Sequence, residues 1–251
     1  MALRLLHTSD VHIGHATGVG DHLHTCICPV LGVIEAAGRV EADALLIAGD
    51  LFDHGRLPGP VVDGVLSVLG DADLPVVVMP GNHDVFDESS LWLRADLGNV
   101  TLLDDHAGTM VTLLDGGLHV WGKAMPEHDR HYRPLADVPD RPGSGGAYVV
   151  MGHGFHETDD SMRSSPITPA DIAATSADYV ALGHIHVRLD VSSGGVPAWY
   201  CGAPVGITSS GTCNVVTIDD GVHVDAVEVQ LPAEGCAELA VGSEVAPASS
   251  G

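Results

Sequence analysis

The sequence predicts a layered α/β domain, and three observations carry that prediction. Short apolar, β-branched runs recur along the chain with helix-length amphipathic stretches between them. Polar residues able to hold metal follow several of those runs directly, where an α/β sheet presents its ligand-binding end. At 251 residues and 45% hydrophobic content, one domain can bury roughly 70–75% of its unfolded surface without a disulfide or metal staple.

Taken in order, Leu3–His7 reads as a buried strand, His22–Arg39 as an amphipathic helix and Ala44–Ala48 as a second strand. Pro60–Leu69 follows as a helix and Pro75–Met79 as a third strand. This β-α-β-α-β order implies parallel strands. From about Gly98 the strands shorten, and Gly108–Leu114 and Leu118–Lys123 flank Asp115-Gly116-Gly117, a hairpin signal. Further strands are expected at Ala147–Met151, Tyr179–Leu182, Val187–Val191, Ala198–Tyr200, Asn214–Ile218 and Val222–Val229, with a helix from Pro169 to Thr175. The second half is expected to be richer in antiparallel pairing. Residues 1–231 form one domain in this reading, and 232–251 form a small, polar, flexible tail.

Ten Lys+Arg against 34 Asp+Glu give a net charge of −24. Such a balance argues against an extended nucleic-acid groove, which rests on Lys and Arg neutralising phosphates. No apolar run approaches the ~18–20 residues of a membrane span. The five cysteines are scattered without a CxxC pair and are read as free, mostly buried thiols. With no basic and apolar leader at the N-terminus, a cytoplasmic location is expected.

Five polar clusters follow predicted strands: Asp10-Val11-His12, Gly49-Asp50-Leu51-Phe52-Asp53, Gly81-Asn82-His83-Asp84, Gly152-His153 and Gly183-His184-Ile185-His186. In an extended D-x-H or H-x-H pair, residues i and i+2 point to one side and can reach one ion. Together the clusters offer Asp10, His12, Asp50, Asn82, His153, His184 and His186, an oxygen and nitrogen set suited to Mn²⁺, Fe or Zn²⁺ and poor for Ca²⁺. Seven ligands exceed the needs of one such ion. Two ions sharing a carboxylate, with Asp50 as the natural bridge, clamp both oxygens of a phosphoryl displacement.

In that order the motifs DVH, GDLFD, GNHD, GH and GHIH resemble the calcineurin-like metallophosphoesterase superfamily. The texture of Leu5–Asp10, Ile47–Asp53 and Ala181–His186, with Tyr200-Cys201-Gly202-Ala203-Pro204, is most similar to the SbcD-type DNA-repair exonucleases. The resemblance implies a four-layer α-β-β-α sandwich of two mixed sheets and a metal-bridging hydroxide as nucleophile. It implies Asp10, His12, Asp50 and His186 around one ion, and Asp50, Asn82, His153 and His184 around the other. The expected ion is Mn²⁺, with Fe or Zn²⁺ as alternatives. His83 takes the family's catalytic histidine position, and Asp84 reads either as the carboxylate that orients it or as a turn former. Asp53 reads either as an orienting group or as a turn former. An SbcC-like ATPase partner is not expected, because the family's C-terminal capping region and docking helices are missing.

Lys123, Arg130, His131 and Arg133, with Arg141 beyond, concentrate positive charge in one predicted loop. They are expected either as a solvated loop or as a rim guiding phosphate into the site. The expected activity is hydrolysis of phosphodiesters, with DNA or a small nucleotide as the candidate substrates. A metal-loaded scaffold without turnover is the alternative of another class, and Asn82-His83 speaks against it.

Overall fold

The computed structural model describes residues 2–14, 27–127, 129, 131–157, 163–205 and 211–231. The strands are β1 (Leu3–Thr8), β2 (Ala44–Ala48), β3 (Val76–Met79), β4 (Val100–Leu102), β5 (Thr109–Leu113), β6 (Leu118–Gly122) and β7 (Ala147–His153). They continue as β8 (Phe155–His156), β9 (Pro166–Ile167), β10 (Tyr179–Gly183), β11 (Arg188–Asp190), β12 (Ala198–Cys201), β13 (Thr212–Ile218) and β14 (Val222–Glu228). The helices are α1 (Cys28–Arg39), α2 (Gly59–Gly70) and α3 (Pro169–Ala174). The start of the expected His22–Arg39 helix, Arg130, and the 232–251 tail lie outside the described residues.

Local signals account for the helix starts. Each helix carries Pro in its first turn, where the missing amide costs nothing. In α3, Thr168 and Asp171 form a reciprocal capping box. In α1, Val30, Val33, Ala36 and Ala37 repeat at three- and four-residue spacing and bury one face.

One six-stranded sheet runs β14-β13-β1-β2-β3-β4 and the other β11-β12-β10-β7-β6-β5. The pairs β1–β2, β2–β3 and β3–β4 are parallel, with β13 and β14 added antiparallel at one edge. As expected, the antiparallel strand pairs all involve strands of the second half, β5–β6, β11–β12, β1–β13 and β13–β14, but that half also holds a parallel set, since β6, β7, β10 and β12 are mutually parallel. These strands are largely buried and mostly apolar, as parallel strands are, and the antiparallel partners of this sheet lie at its β5 and β11 edges. The three-residue β4 is too short to register as a pattern. The hairpin between β5 and β6 forms as expected, its turn carried by positive φ at Leu114, Asp115 and Gly116.

Strand alternation builds the layers. Leu6, Leu45, Ile47, Val76 and Val78 face α1 and α2, meeting Val33, Val62 and Val65. Their neighbours Leu5, Leu46 and Val77 face the opposite way and meet Val120, Val149 and Ala181 of the second sheet. On that sheet's outer face, Tyr148, Val150, Val180 and Leu182 pack with Ile172 of α3 and Leu135. The order is helix, sheet, sheet, helix, and the fourth layer is thin because α3 has only six residues. Truncating Leu46 between the sheets should cost about 2–5 kcal/mol.

Among the described residues no helix is long and apolar enough to cross a membrane. Cys201 and Cys213 are free and buried, but Cys28 is disulfide-bonded, which corrects the expectation of free thiols. Pairing depends on tertiary proximity, which spacing along the chain does not encode.

Candidate metal centre

The C-terminal ends of β1, β2 and β3 meet those of β7 and β10 across the inter-sheet core, and each carries one polar cluster. The loops after β1 and β2 are laced together: the amides of Asp10 and His12 donate to the carbonyls of Gly49 and Asp50, both at 3.0 Å. To turn there, Asp10, His12 and Asp50 adopt left-handed φ of 55°, 51° and 54°, a conformation that non-glycine residues hold at about 1–3 kcal/mol each. The extended geometry expected for both dyads is therefore corrected. Asp10 and His12 converge through left-handed turns, whereas His184 and His186 sit in a bend and diverge into different ligand sets.

Two sets of donor atoms result. In the first, His12 Nε2 lies 3.2 Å from His186 Nε2, and Asp10 Oδ1 lies 3.5 Å from His186 Nε2 and 3.9 Å from His12 Nε2. In the second, Asn82 Oδ1 lies 3.0 Å from His153 Nε2 and 2.7 Å from His184 Nδ1. The same Asp50 oxygen, Oδ2, faces both, at 3.8 Å from His12 Nε2 and 3.3 Å from His153 Nε2. Donor atoms about 3 Å apart match those of one ion bound at ~2.1 Å by each.

The other ring nitrogens are tied back. His153 Nδ1 is 2.8 Å from the Ala48 carbonyl and His12 Nδ1 is 3.1 Å from Asp53 Oδ1, contacts that fix the tautomer and aim each Nε2 inward. Asp53 is thus an orienting group. Asp50 Oδ1 accepts the His83 amide at 2.9 Å, leaving Oδ2 for the site. Two glycines make room, since a Cβ at Gly81 would lie 2.2 Å from Asp50 Oδ1 and one at Gly49 would lie 2.2 Å from His153 Nδ1.

Electrostatics in the bare protein keep the shared carboxylate ionised. Burial opposes charge on Asp50, but the His153 and His12 imidazoles outweigh it and hold the carboxyl well below the ordinary range. Burial likewise opposes charge on His153, yet Asp50 beside it pushes the imidazole up to about 9. Burial lowers His12, whereas the hydrogen bond to Asp10 raises His186.

His83 stands at the open side, 42% exposed in its side chain, with its ring 4.6 Å from that of His12 in an edge-on arrangement. Its Nδ1 lies 2.7 Å from the Asp53 carbonyl oxygen. The candidate orienting carboxylate, Asp84, is fully buried and instead accepts the amides of Gly81 at 2.7 Å and Phe52 at 3.1 Å. It joins two site loops from below. Burial, reinforced by Asp50, pushes its carboxyl up to about 7.

Of the basic cluster, Lys123 is buried, and its ammonium meets the Ala136 carbonyl, Asp137 and the Tyr132 ring. That ammonium anchors a loop. His131 pairs with Asp129 at 2.8 Å, Arg133 is exposed, and Arg130 lies outside the described residues. Sequence reading missed Phe155, whose ring packs edge-on against His184 at 4.0 Å, and Arg163, 4.9 Å over the Phe155 ring. Phe155 carried one signal, its place two residues after His153. It also missed Ser9, whose hydroxyl donates to Asp10 Oδ2.

Residues 3–188 match the family model described as calcineurin-like phosphoesterase. The chain is 30% identical over 213 residues to the DNA double-strand break repair protein Mre11 of Aeropyrum pernix, covering 74% of this chain and 50% of that one. It is 24% identical over 282 residues to the SbcD component of the SbcCD nuclease of Escherichia coli K12, covering 92% of this chain and 68% of that one. The chain thus spans between half and about two thirds of these relatives' lengths. A solved structure, TT1561 of Thermus thermophilus, superposes with a TM-score of 0.59 at 13% identity, covering 92% of this chain and 100% of that one. That likeness is one of fold.

Proposed function

The chain belongs to the calcineurin-like phosphoesterase family of metal-dependent phosphoester hydrolases, and on that premise we propose a two-metal phosphodiesterase of the SbcD-like nuclease branch. One observation carries the reading: a single oxygen of Asp50 faces two separate donor sets. Asp10, His12 and His186 hold one divalent ion with Asp50, and Asn82, His153 and His184 hold the other. The donors mix carboxylate, amide oxygen and imidazole, which supports Mn²⁺, with Fe or Zn²⁺ as the other ions such a set suits.

When bound, such a pair supplies Lewis-acid stabilisation of phosphoryl oxygens and a hydrolytic nucleophile near neutral pH. The chain's own residues do the rest. The backbone carbonyl of Asp53 accepts from His83 Nδ1, so the ring presents Nε2 to the open side. From there it can give a proton to the departing oxygen or a hydrogen bond to the phosphoryl group. His12 and His153, tied through Nδ1, hold the donor sets in place without having to reorganise during turnover.

The named relatives support DNA as substrate. A charge of −24 supports a second reading, a small phosphodiester, because two divalent ions restore only four positive charges and Lys123 is committed to its loop. The test is purified protein with Mn²⁺ on bis(p-nitrophenyl) phosphate, a cyclic nucleotide, and linear single- and double-stranded DNA, with Asp50→Ala and His83→Ala as controls. Turnover of DNA supports the nuclease branch, and turnover of small diesters alone supports the second reading. No turnover on any substrate, with metal occupancy verified, overturns both.

A further inference from the structure

The Asp10 side chain is fully buried, and its two oxygens are treated differently. Oδ1 is the atom turned toward His12 and His186. Oδ2 accepts the hydroxyl of the preceding residue, Ser9, and the His184 amide, which lies 3.0 Å from it and 3.2 Å from Oδ1. A buried carboxylate oxygen left without donors is costly, and one already holding two strong donors has little capacity left for a cation. We infer that Ser9 is a positioning residue that makes Asp10 a one-oxygen ligand, with the Cys201 thiol holding the Ser9 hydroxyl in place.

The surroundings of Ser9 support that role. It is fully buried, and Cys201 Sγ lies 3.1 Å from its hydroxyl oxygen and 3.1 Å from the Gly202 carbonyl. With the Ser9 proton directed to Asp10, the thiol proton is left to be shared between the Ser9 oxygen and that carbonyl. On the other side stands Gly183, where a Cβ would lie 2.8 Å from Ser9 Cβ and 2.0 Å from the Ala48 carbonyl oxygen. The hydroxyl is thus boxed between the first strand of one sheet and the β10 and β12 strands of the other. Through Asp10 it links that box to the donor set it supports. Ser9 itself contributes no donor to the ions.

This inference rests on the two-metal reading, and its test reads metal binding separately from hydrolysis. Mn²⁺ titration of the full chain by calorimetry is compared for wild type, Ser9→Ala, Ser9→Cys, Cys201→Ser and Cys201→Val. His186→Ala serves as a reference that identifies the binding step belonging to the Asp10 set. Ser9→Ala is expected to weaken that step by about 10–100-fold and leave the other unchanged. Ser9→Cys should fall between it and wild type, Cys201→Ser should match wild type, and Cys201→Val should weaken the same step by less than Ser9→Ala. Should Ser9→Ala not fold, as judged by thermal unfolding without metal, Ser9→Cys and the Cys201 pair carry the comparison.

Binding by Ser9→Ala that superposes on wild type, or an equal loss at both steps, overturns the inference. Selective weakening in a protein that hydrolyses no substrate leaves Ser9 as assigned and defeats the proposed function instead. A wild type that binds no Mn²⁺ defeats both.

Discussion

His83 Nδ1 lies 2.7 Å from the backbone carbonyl oxygen of Asp53, three residues after the carboxylate shared by both donor sets. A carbonyl can only accept, so Nδ1 carries a proton and Nε2 is the ring atom left to face the substrate. His83 lies outside the two donor sets that share Asp50 and is expected to act on the substrate, but with His12 and Asp50 it forms a third group close enough to hold an ion, so its metal role is tested directly. His83→Gln is expected to lower kcat on bis(p-nitrophenyl) phosphate by about 10²–10⁴-fold, the usual contribution of a positioned acid–base group. Its Mn²⁺ binding should match wild type in calorimetry. Loss of metal in this variant would make His83 a ligand.

Gly81 and Asp50 make a sharper test of how the shared carboxylate is placed. A Cβ at Gly81 would stand 2.2 Å from Asp50 Oδ1 and 2.6 Å from the Asp50 amide nitrogen, and the backbone neighbour cannot swing away. Gly81→Ala should push Asp50 off its position, weaken both Mn²⁺ binding steps and destabilise the metal-free protein by about 1–3 kcal/mol. Gly59→Ala, at a helix start with open space around it, is the control and should change neither. Calorimetry and thermal unfolding of the two variants check both halves of this expectation.

How much of this was legible in the chain depended on the kind of signal. The convergence of Asp10, Asp50, Asn82, His153 and His184 was readable because each ends or follows a buried strand, so they come together once the strand ends meet. Their backbone geometry was not readable. Left-handed φ at Asp10, His12 and Asp50 arises from hydrogen bonds between the loops after β1 and β2, a long-range relation that local spacing does not carry. The same holds for Asp53 and Asp84, two carboxylates in similar turns. Asp53 reaches His12, whereas Asp84 points into the core, and only tertiary packing decides which does which. Ser9 and Phe155 gave at most adjacency as a clue. The parallel pairing of the second sheet was hidden because its crossovers contain little helix, and the usual strand-helix alternation is therefore faint.

His7 should leave a mark on the acid side of the stability curve. It is fully buried, with Nδ1 2.8 Å from the Tyr179 hydroxyl, and burial lowers its pKa from 6.5 to about 3. The folded chain thus holds it neutral, while the unfolded chain binds a proton below about pH 6.5. The corresponding stability is fully present above pH 6.5 and is lost as pH falls toward 3, at up to roughly 1.4 kcal/mol per pH unit. Urea unfolding of metal-free wild type and His7→Gln at several pH values between about 7.5 and 4 checks this. The variant's loss of stability on acidification should be shallower. Parallel curves would show that other groups set the acid limb.

Asp84 offers the clearest separation of a structural carboxylate from a catalytic one. Its two oxygens accept one amide each, Gly81 to Oδ1 and Phe52 to Oδ2, so it joins the loop carrying Asn82 and His83 to the loop following Asp50. Replacing it with Asn sets an NH₂ group against one of those amide donors, leaving a buried N–H unsatisfied at about 1–3 kcal/mol. The carboxyl's raised pKa, about 7, shows that the site already holds the ionised form at a cost, which Asn removes and which partly offsets that loss at about pH 8. Asp84→Asn should therefore lower the thermal midpoint more at about pH 6 than at about pH 8. Because Asp84 makes no hydrogen bond to His83, turnover at saturating Mn²⁺ and below the unfolding range should stay near wild type. Thermal unfolding at the two pH values, paired with bis(p-nitrophenyl) phosphate kinetics, reads both quantities. If turnover instead drops by about 100-fold or more with the fold intact, near the least expected of a positioned acid–base group, Asp84 is a catalytic partner of His83 after all.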